Sequence, residues 1–163
     1  MAASPYHSAR GGLLPHLFIV HSTRSGASHD DATERAGTLG WFRSNPQSVS
    51  AHYVADAEGG LTPVVSLERS AHHDSARNPI SVGIELTQAT PTTPFQSGHY
   101  EATALAFRLT NAWLRGRGAP PIPARRVFSA QEPGLIGHED SQRGKSDPGK
   151  LFDWQKLMAL LNG

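Results

Sequence analysis

The stretch LFIVHST, residues 17–23, decides the class of fold. Leu17-Phe18-Ile19-Val20 is a short unbroken apolar run, which suits a strand buried in the middle of a sheet. It ends in His21, Ser22 and Thr23, polar groups at the edge where loops build sites. Working outward, Ser81 to Leu86 alternates Val82, Ile84 and Leu86 against Ser81, Gly83 and Glu85, so one face is apolar and the other carries Glu85. Ser50 to Asp56 reads as a further strand, and Glu58-Gly59-Gly60 as a turn into a fourth over Thr62 to Leu67.

Three helices accompany these strands. Asp30 or Asp31 can cap one running to about Arg43, with Ala32, Ala36 and Leu39 on one face and Asn45-Pro46 as its stop. A second spans about Gly98 to Arg115, with Leu105, Leu109, Ala112 and Trp113 at helical spacing and Gly116 and Gly118 ending it. Asp153 caps a last helix ending near Leu161. The stretch Gln131 to Gly149 reads as a long polar loop. The expectation is an α/β fold, one domain with a central mixed sheet flanked by helices, comprising an N-terminal arm (1–12) and a domain over 13–163.

Bulk properties narrow the function. The chain has 163 residues and a net charge of +1, with no field suited to nucleic acid. No segment approaches the roughly 18–20 apolar residues of a membrane span, so membrane insertion is not expected. There is no cysteine, which excludes a thiol nucleophile and any thiolate metal site. Met1 to Gly12 lacks the pattern of a signal peptide, so synthesis and folding in a cytoplasm are expected. Nothing in the sequence calls for a second copy, and a monomer is expected.

Nine histidines is a high count for this length. His7, His16, His29 and His99 stand in polar or loop context and need no special explanation. His21 follows the apolar strand. His138 lies in Gly137-His138-Glu139-Asp140, and Asp147 follows in Lys145-Ser146-Asp147-Pro148-Gly149. Two histidines and a carboxylate make a standard catalytic zinc set with one position left for water. Ordinary turns give the same local patterns, so spacing alone leaves both readings open.

The segments taken together say more. FIVHST (18–23), VSAHYVADAEGG (49–60), ERSAHH (68–73), RNPISVGIEL (77–86) and GHEDSQRGKSDPGKLFDW (137–154) resemble the N-acetylmuramoyl-L-alanine amidase family, which shares its fold with peptidoglycan-recognition proteins. The last is the most specific, because it sets a His, a Lys, an Asp and a following Phe-Asp-Trp at the family's spacing. The resemblance implies one zinc ion held by His21, His138 and Asp147, and hydrolysis of the amide joining the muramic lactyl group to L-alanine in peptidoglycan or a muropeptide. It implies Lys145 beside the developing oxyanion and Glu85 as the group that handles protons. Where one branch of the family carries a tyrosine, this chain has Ala51, and Tyr53 should face the other side of its strand.

The resemblance also implies that His72 borders the substrate, with Ala71 where relatives often carry tryptophan. Asn78 either fixes a turn or touches the peptide stem. His73 is an additional ring, and His52 is expected to be structural. Three settings fit: an endolysin released from a host cytoplasm onto the cell wall, which is favoured; a cytoplasmic amidase recycling muropeptides; and a non-catalytic peptidoglycan-recognition module. Asp147, Lys145 and Glu85 speak against the last.

Overall fold

The computed structural model describes residues 3–26 and 31–163. Its frame is a five-stranded sheet in the order β4-β3-β6-β2-β7, formed by β2 (Leu17–Ser22), β3 (Tyr53–Ala55), β4 (Leu61–Pro63), β6 (Ser81–Leu86) and β7 (Gly134–Gly137). Strand β2 pairs in parallel with β6 and β7, β3 runs parallel to β6, and only β4 is antiparallel. Leu17 to Val20 are fully buried, as an apolar run without alternation requires when both faces are covered.

The alternation along β6 separates two environments. Val82, Ile84 and Leu86 join Phe18 and Val20 in a core under helices α2 (Ser97–Arg115) and α4 (Trp154–Asn162). Glu85 and His21 lie on the opposite face, paired in register across β6 and β2. Tyr53 is buried on the α2 side, as its place on the strand required. Asp153 caps α4 by accepting from the Lys156 amide at 3.0 Å.

Several elements depart from the sequence reading. Strands β3 and β4 are shorter than expected, because the His52 carbonyl accepts from the amides of Val64 (2.8 Å) and Val65 (3.4 Å) and bends the chain back. Strand β7 and the short helix α3 (His138–Ser141) fall within the stretch expected to be loop; Gly-Leu-Ile-Gly becomes a strand only through pairing with β2. The first residues are not all irregular. Strand β1 (His7–Ala9) pairs with β5 (Arg69–Ala71) in a separate two-stranded sheet, and the buried Arg10 follows it. In helix α1 (Asp31–Arg43), Ala32 and Ala36 are exposed, and Glu34 and Phe42 are buried instead. Asp30 and the side chain of Asp31, the candidate caps, lie outside the described residues, as does His29.

The buried face of α2 is the largest correction. Leu105, Leu109 and Ala112 are exposed and Trp113 is half-buried, whereas Ala102, Thr103, Ala106, Phe107, Thr110 and Leu114 face the sheet. Threonine misleads a hydropathy pattern here because its hydroxyl is satisfied within the helix. Thr103 donates to the His99 carbonyl at 2.6 Å and Thr110 to the Ala106 carbonyl at 2.9 Å, so both can be buried. Phe107 stands edge-on to Phe18 at 5.5 Å between centroids. Phe107→Ala should therefore cost about 3–5 kcal/mol in urea unfolding. Leu105→Ala should stay within about 0.5 kcal/mol in dilute solution. The reverse ranking would restore the leucine face to the core.

Candidate metal centre and its cleft

The parallel strands β2, β6 and β7 end at one edge of the sheet, and their C-terminal ends bring distant residues together. His21 lies near the end of β2, Glu85 lies beside it on β6, and His138 opens α3 directly after β7. The loop after α3 returns Asp147 to this edge, where the Asp147 carbonyl accepts from the Glu139 amide at 2.8 Å. One ligand atom from each of His21, His138 and Asp147 lies within 4.8 Å of the others. Asp147 Oδ2 is 3.1 Å from His138 Nδ1 and 3.5 Å from His21 Nδ1.

The other ring nitrogens decide what these contacts are. The Ser81 hydroxyl donates to the Arg77 carbonyl at 2.7 Å, so its oxygen can only accept from His73 Nε2 at 3.2 Å. His73 therefore carries its proton on Nε2 and presents a bare Nδ1 to His21 Nε2 at 3.0 Å. His21 must donate there, which leaves its own Nδ1 without a proton. His138 Nε2 faces Gln142 Oε1 at 3.3 Å, and with Nε2 donating there its Nδ1 is likewise bare towards Asp147. Two imidazole lone pairs and a carboxylate thus converge on one point, a repulsive arrangement unless a cation lies between them. Two buried histidine nitrogens and a partly exposed carboxylate oxygen, with the outer ring nitrogens tied down, are the set that fits zinc.

Electrostatics agree with neutral His21 and His73 rings and a charged carboxylate. Burial lowers the His21 pKa, with the adjacent Asp147 charge only partly opposing it. Burial, then the neighbouring His21 and His52, drives His73 well below the ordinary histidine range. Burial works against the Asp147 charge, but His138 and His21 outweigh it and hold the carboxyl below its usual value. Glu85 is different. Burial first, then the Asp147 charge, raises its carboxyl well above the usual range, with Lys145 pulling the other way, and its Oε2 has no hydrogen-bond partner among the described residues.

These groups line a cavity of about 210 Å³ that includes His21, His72, Glu85, His138, Lys145 and Asp147. It continues through Val49 and Glu85 into a larger groove of about 570 Å³ along α1, rimmed by Trp41. On the other side, His72, His73 and Lys145 also line a cavity of about 290 Å³ that reaches Asn78 and Gln142. All seven residues singled out from the sequence therefore line two adjoining cavities. Two do so with constraints. Both His72 nitrogens are engaged, Nε2 with Ser8 Oγ at 2.8 Å and Nδ1 with the Ser48 carbonyl at 3.1 Å. Asn78 Oδ1 accepts from the amides of His73 (2.9 Å) and Asp74 (2.6 Å), so that oxygen holds the turn carrying His73.

Sequence reasoning passed over His73, Gln142 and Arg24. His73 read as an additional ring, yet it is the partner of His21 Nε2. One signal was present in Gly83: a Cβ there would come within 2.6 Å of His73 Nδ1, so the glycine admits the ring. Gln142 follows His138 by one helical turn, the spacing at which side chains meet. Arg24 donates to both the hydroxyl and the carbonyl of Ser146, fastening the loop that carries Lys145 and Asp147 to the end of β2.

Comparison with known proteins bears on this geometry. Residues 12–150 match the family described as N-acetylmuramoyl-L-alanine amidase. The N-acetylmuramoyl-L-alanine amidase A of Achromobacter lyticus is 28% identical over 140 residues, 78% of this chain and 77% of that protein. The 1,6-anhydro-N-acetylmuramyl-L-alanine amidase AmpD of Enterobacter cloacae is 28% identical over 123 residues, and the match spans 70% of this chain but only 58% of AmpD. The crystal structure of a selenomethionine AmpD derivative superposes with a TM-score of 0.66 at 23% identity, covering 98% of this chain and 92% of that one, which establishes a shared fold. With its mixed sheet, its convergent ligand set and a match over most of its length, the chain belongs to the N-acetylmuramoyl-L-alanine amidase family.

Proposed function

We propose that this chain hydrolyses the amide between the N-acetylmuramic lactyl group and L-alanine in peptidoglycan, using one zinc ion held by His21, His138 and Asp147. The observation that carries the reading is the convergence of two histidine Nδ1 atoms and a carboxylate oxygen in a member of this family. When bound, zinc supplies a Lewis acid that makes water nucleophilic near neutral pH.

The remaining work falls to the side chains. Glu85 takes the proton of the attacking water on a carboxylate oxygen and returns it to the departing alanine nitrogen. A carboxyl raised towards neutrality suits a group that must both accept and give a proton. The Lys145 ammonium, exposed at the cavity wall, stabilises the negative charge that develops on the carbonyl oxygen. His72, fixed by Ser8 and Ser48, lends its ring as a wall of the cleft, and Asn78 holds the turn beside it.

We assign this activity to cell-wall lysis of the endolysin type. The support is the run of connected cavities across the site, a groove through which a polymer can pass. A muropeptide-recycling role is the second reading, favoured by the similarity to AmpD.

Purified peptidoglycan digested by the protein should release stem peptides that begin with L-alanine, detectable by mass spectrometry. A chelator should stop release and zinc should restore it. Cleavage of small anhydro-muropeptides with none of the polymer would favour recycling; cleavage of neither, with zinc bound, would refute the substrate assignment. Glu85→Gln should keep a full equivalent of zinc yet lose about 10²- to 10⁴-fold in turnover. Asp147→Ala should lose both zinc and activity, and an Asp147→Ala protein that still binds one zinc would remove that residue from the site. His73→Ala should weaken zinc affinity by about 10- to 100-fold, read directly by competition with a chromophoric chelator. Unchanged affinity would make His73 a packing residue only.

A further inference from the structure

The outward face of α2 has a pattern that the core does not explain. Leu105 and Leu109 are 47% and 46% exposed, and with the exposed Ala112 and Gly116 they follow one another at spacings of four, three and four residues. That is the spacing of a seam at which one helix packs against another. Leu13 and Leu14, 51% and 42% exposed, extend the apolar surface past Trp113. An isolated exposed leucine needs no explanation, but a helical stripe of them marks an interaction surface.

Charge identifies the occupant. One flank of the stripe begins with Glu101 and ends with Arg115, both exposed. Under a twofold axis near Leu109, an antiparallel second copy of α2 would set Glu101 against the partner's Arg115, and Arg115 against the partner's Glu101. The same operation sets Leu105 over the partner's Ala112 and Leu109 against the partner's Leu109, large over small away from the axis. Arg108, the cation in the middle of this flank, is directed away because its guanidinium donates to the Leu160 carbonyl on α4. A face complementary to itself in both shape and charge is what an isologous contact requires.

We propose that this face of α2 is a homodimer interface in which two copies of the chain pack α2 against α2, antiparallel. One helix with a leucine flank is a small surface beside the roughly 800 Å² per partner of a standard complex, so weak, concentration-dependent association is expected. The stripe lies across the sheet from His21 and Glu85, so both clefts stay open. Two active sites facing away from the contact can engage one polymer together and gain from effective concentration. The proposal rests on the exposed face of α2 and is independent of the catalytic reading.

Sedimentation velocity from about 1 to about 200 µM should show a monomer–dimer equilibrium. Leu109→Glu, at the axis, should leave a monomer at every concentration, with an unchanged circular dichroism spectrum. Glu101→Arg and Arg115→Glu should each weaken association by about tenfold, and the double exchange should restore it. A wild-type protein that stays monomeric overturns the proposal. If such a monomer sediments with phosphatidylglycerol vesicles, the stripe belongs to a lipid surface instead. A dimer indifferent to Leu109→Glu, or single exchanges whose losses add in the double variant, would likewise refute this interface.

Discussion

The site depends on the direction of one hydrogen bond, the donation from the Ser81 hydroxyl to the Arg77 carbonyl. Because that proton is spent, Ser81 must accept from His73, His73 must accept from His21, and His21 is left with a bare Nδ1 facing Asp147. A chain of neutral groups thereby sets the tautomer of a histidine two side chains away. The choice is sharp because these groups are buried, and an unmatched donor or acceptor in such a place costs about 1–3 kcal/mol.

The N-terminal strand supports this arrangement from behind. Arg10 is buried, and its guanidinium reaches the carbonyls of Leu67, Pro79 and Ser81, so it ties the start of β6 and the turn before it to β1. Burial lowers its pKa to about 10, which still leaves it charged at neutral pH. Burial, followed by that charge, lowers the pKa of the adjacent His52 to about 3, so His52 is a neutral spacer between Arg10 and His73. Ser8, two residues earlier, orients His72 in the cleft. A segment that reads as an arm thus joins the architecture of the active edge.

Legibility in the sequence followed the reach of the forces involved. The continuous run of β2 and the alternation of β6 reveal themselves locally, since burial of one or two faces writes a pattern into neighbouring residues. His21, Glu85, His138, Lys145 and Asp147 were legible because their segments resemble a family, and the structure brings them to one edge. Strands β1, β5 and β7 were not legible, as three or four residues become strand only by pairing with a distant partner. The face of α2 was misread because threonine can be buried when it bonds its own helix and leucine can be left exposed. His73 was missed for a related reason: its meaning lies in the ring it touches, 52 residues away in the chain.

On this reading, unprotonated Nδ1 atoms of His21 and His138, with one Asp147 oxygen, form the ligand set of a zinc ion. A crystal structure of the zinc-loaded protein, with anomalous differences recorded on both sides of the zinc absorption edge, would locate the ion and its ligand atoms. One zinc peak is expected, bonded to those two Nδ1 atoms and to Asp147, with His73 and Gln142 still holding the Nε2 atoms. Zinc bonded through Nε2, or a peak elsewhere with this cluster empty, would contradict it.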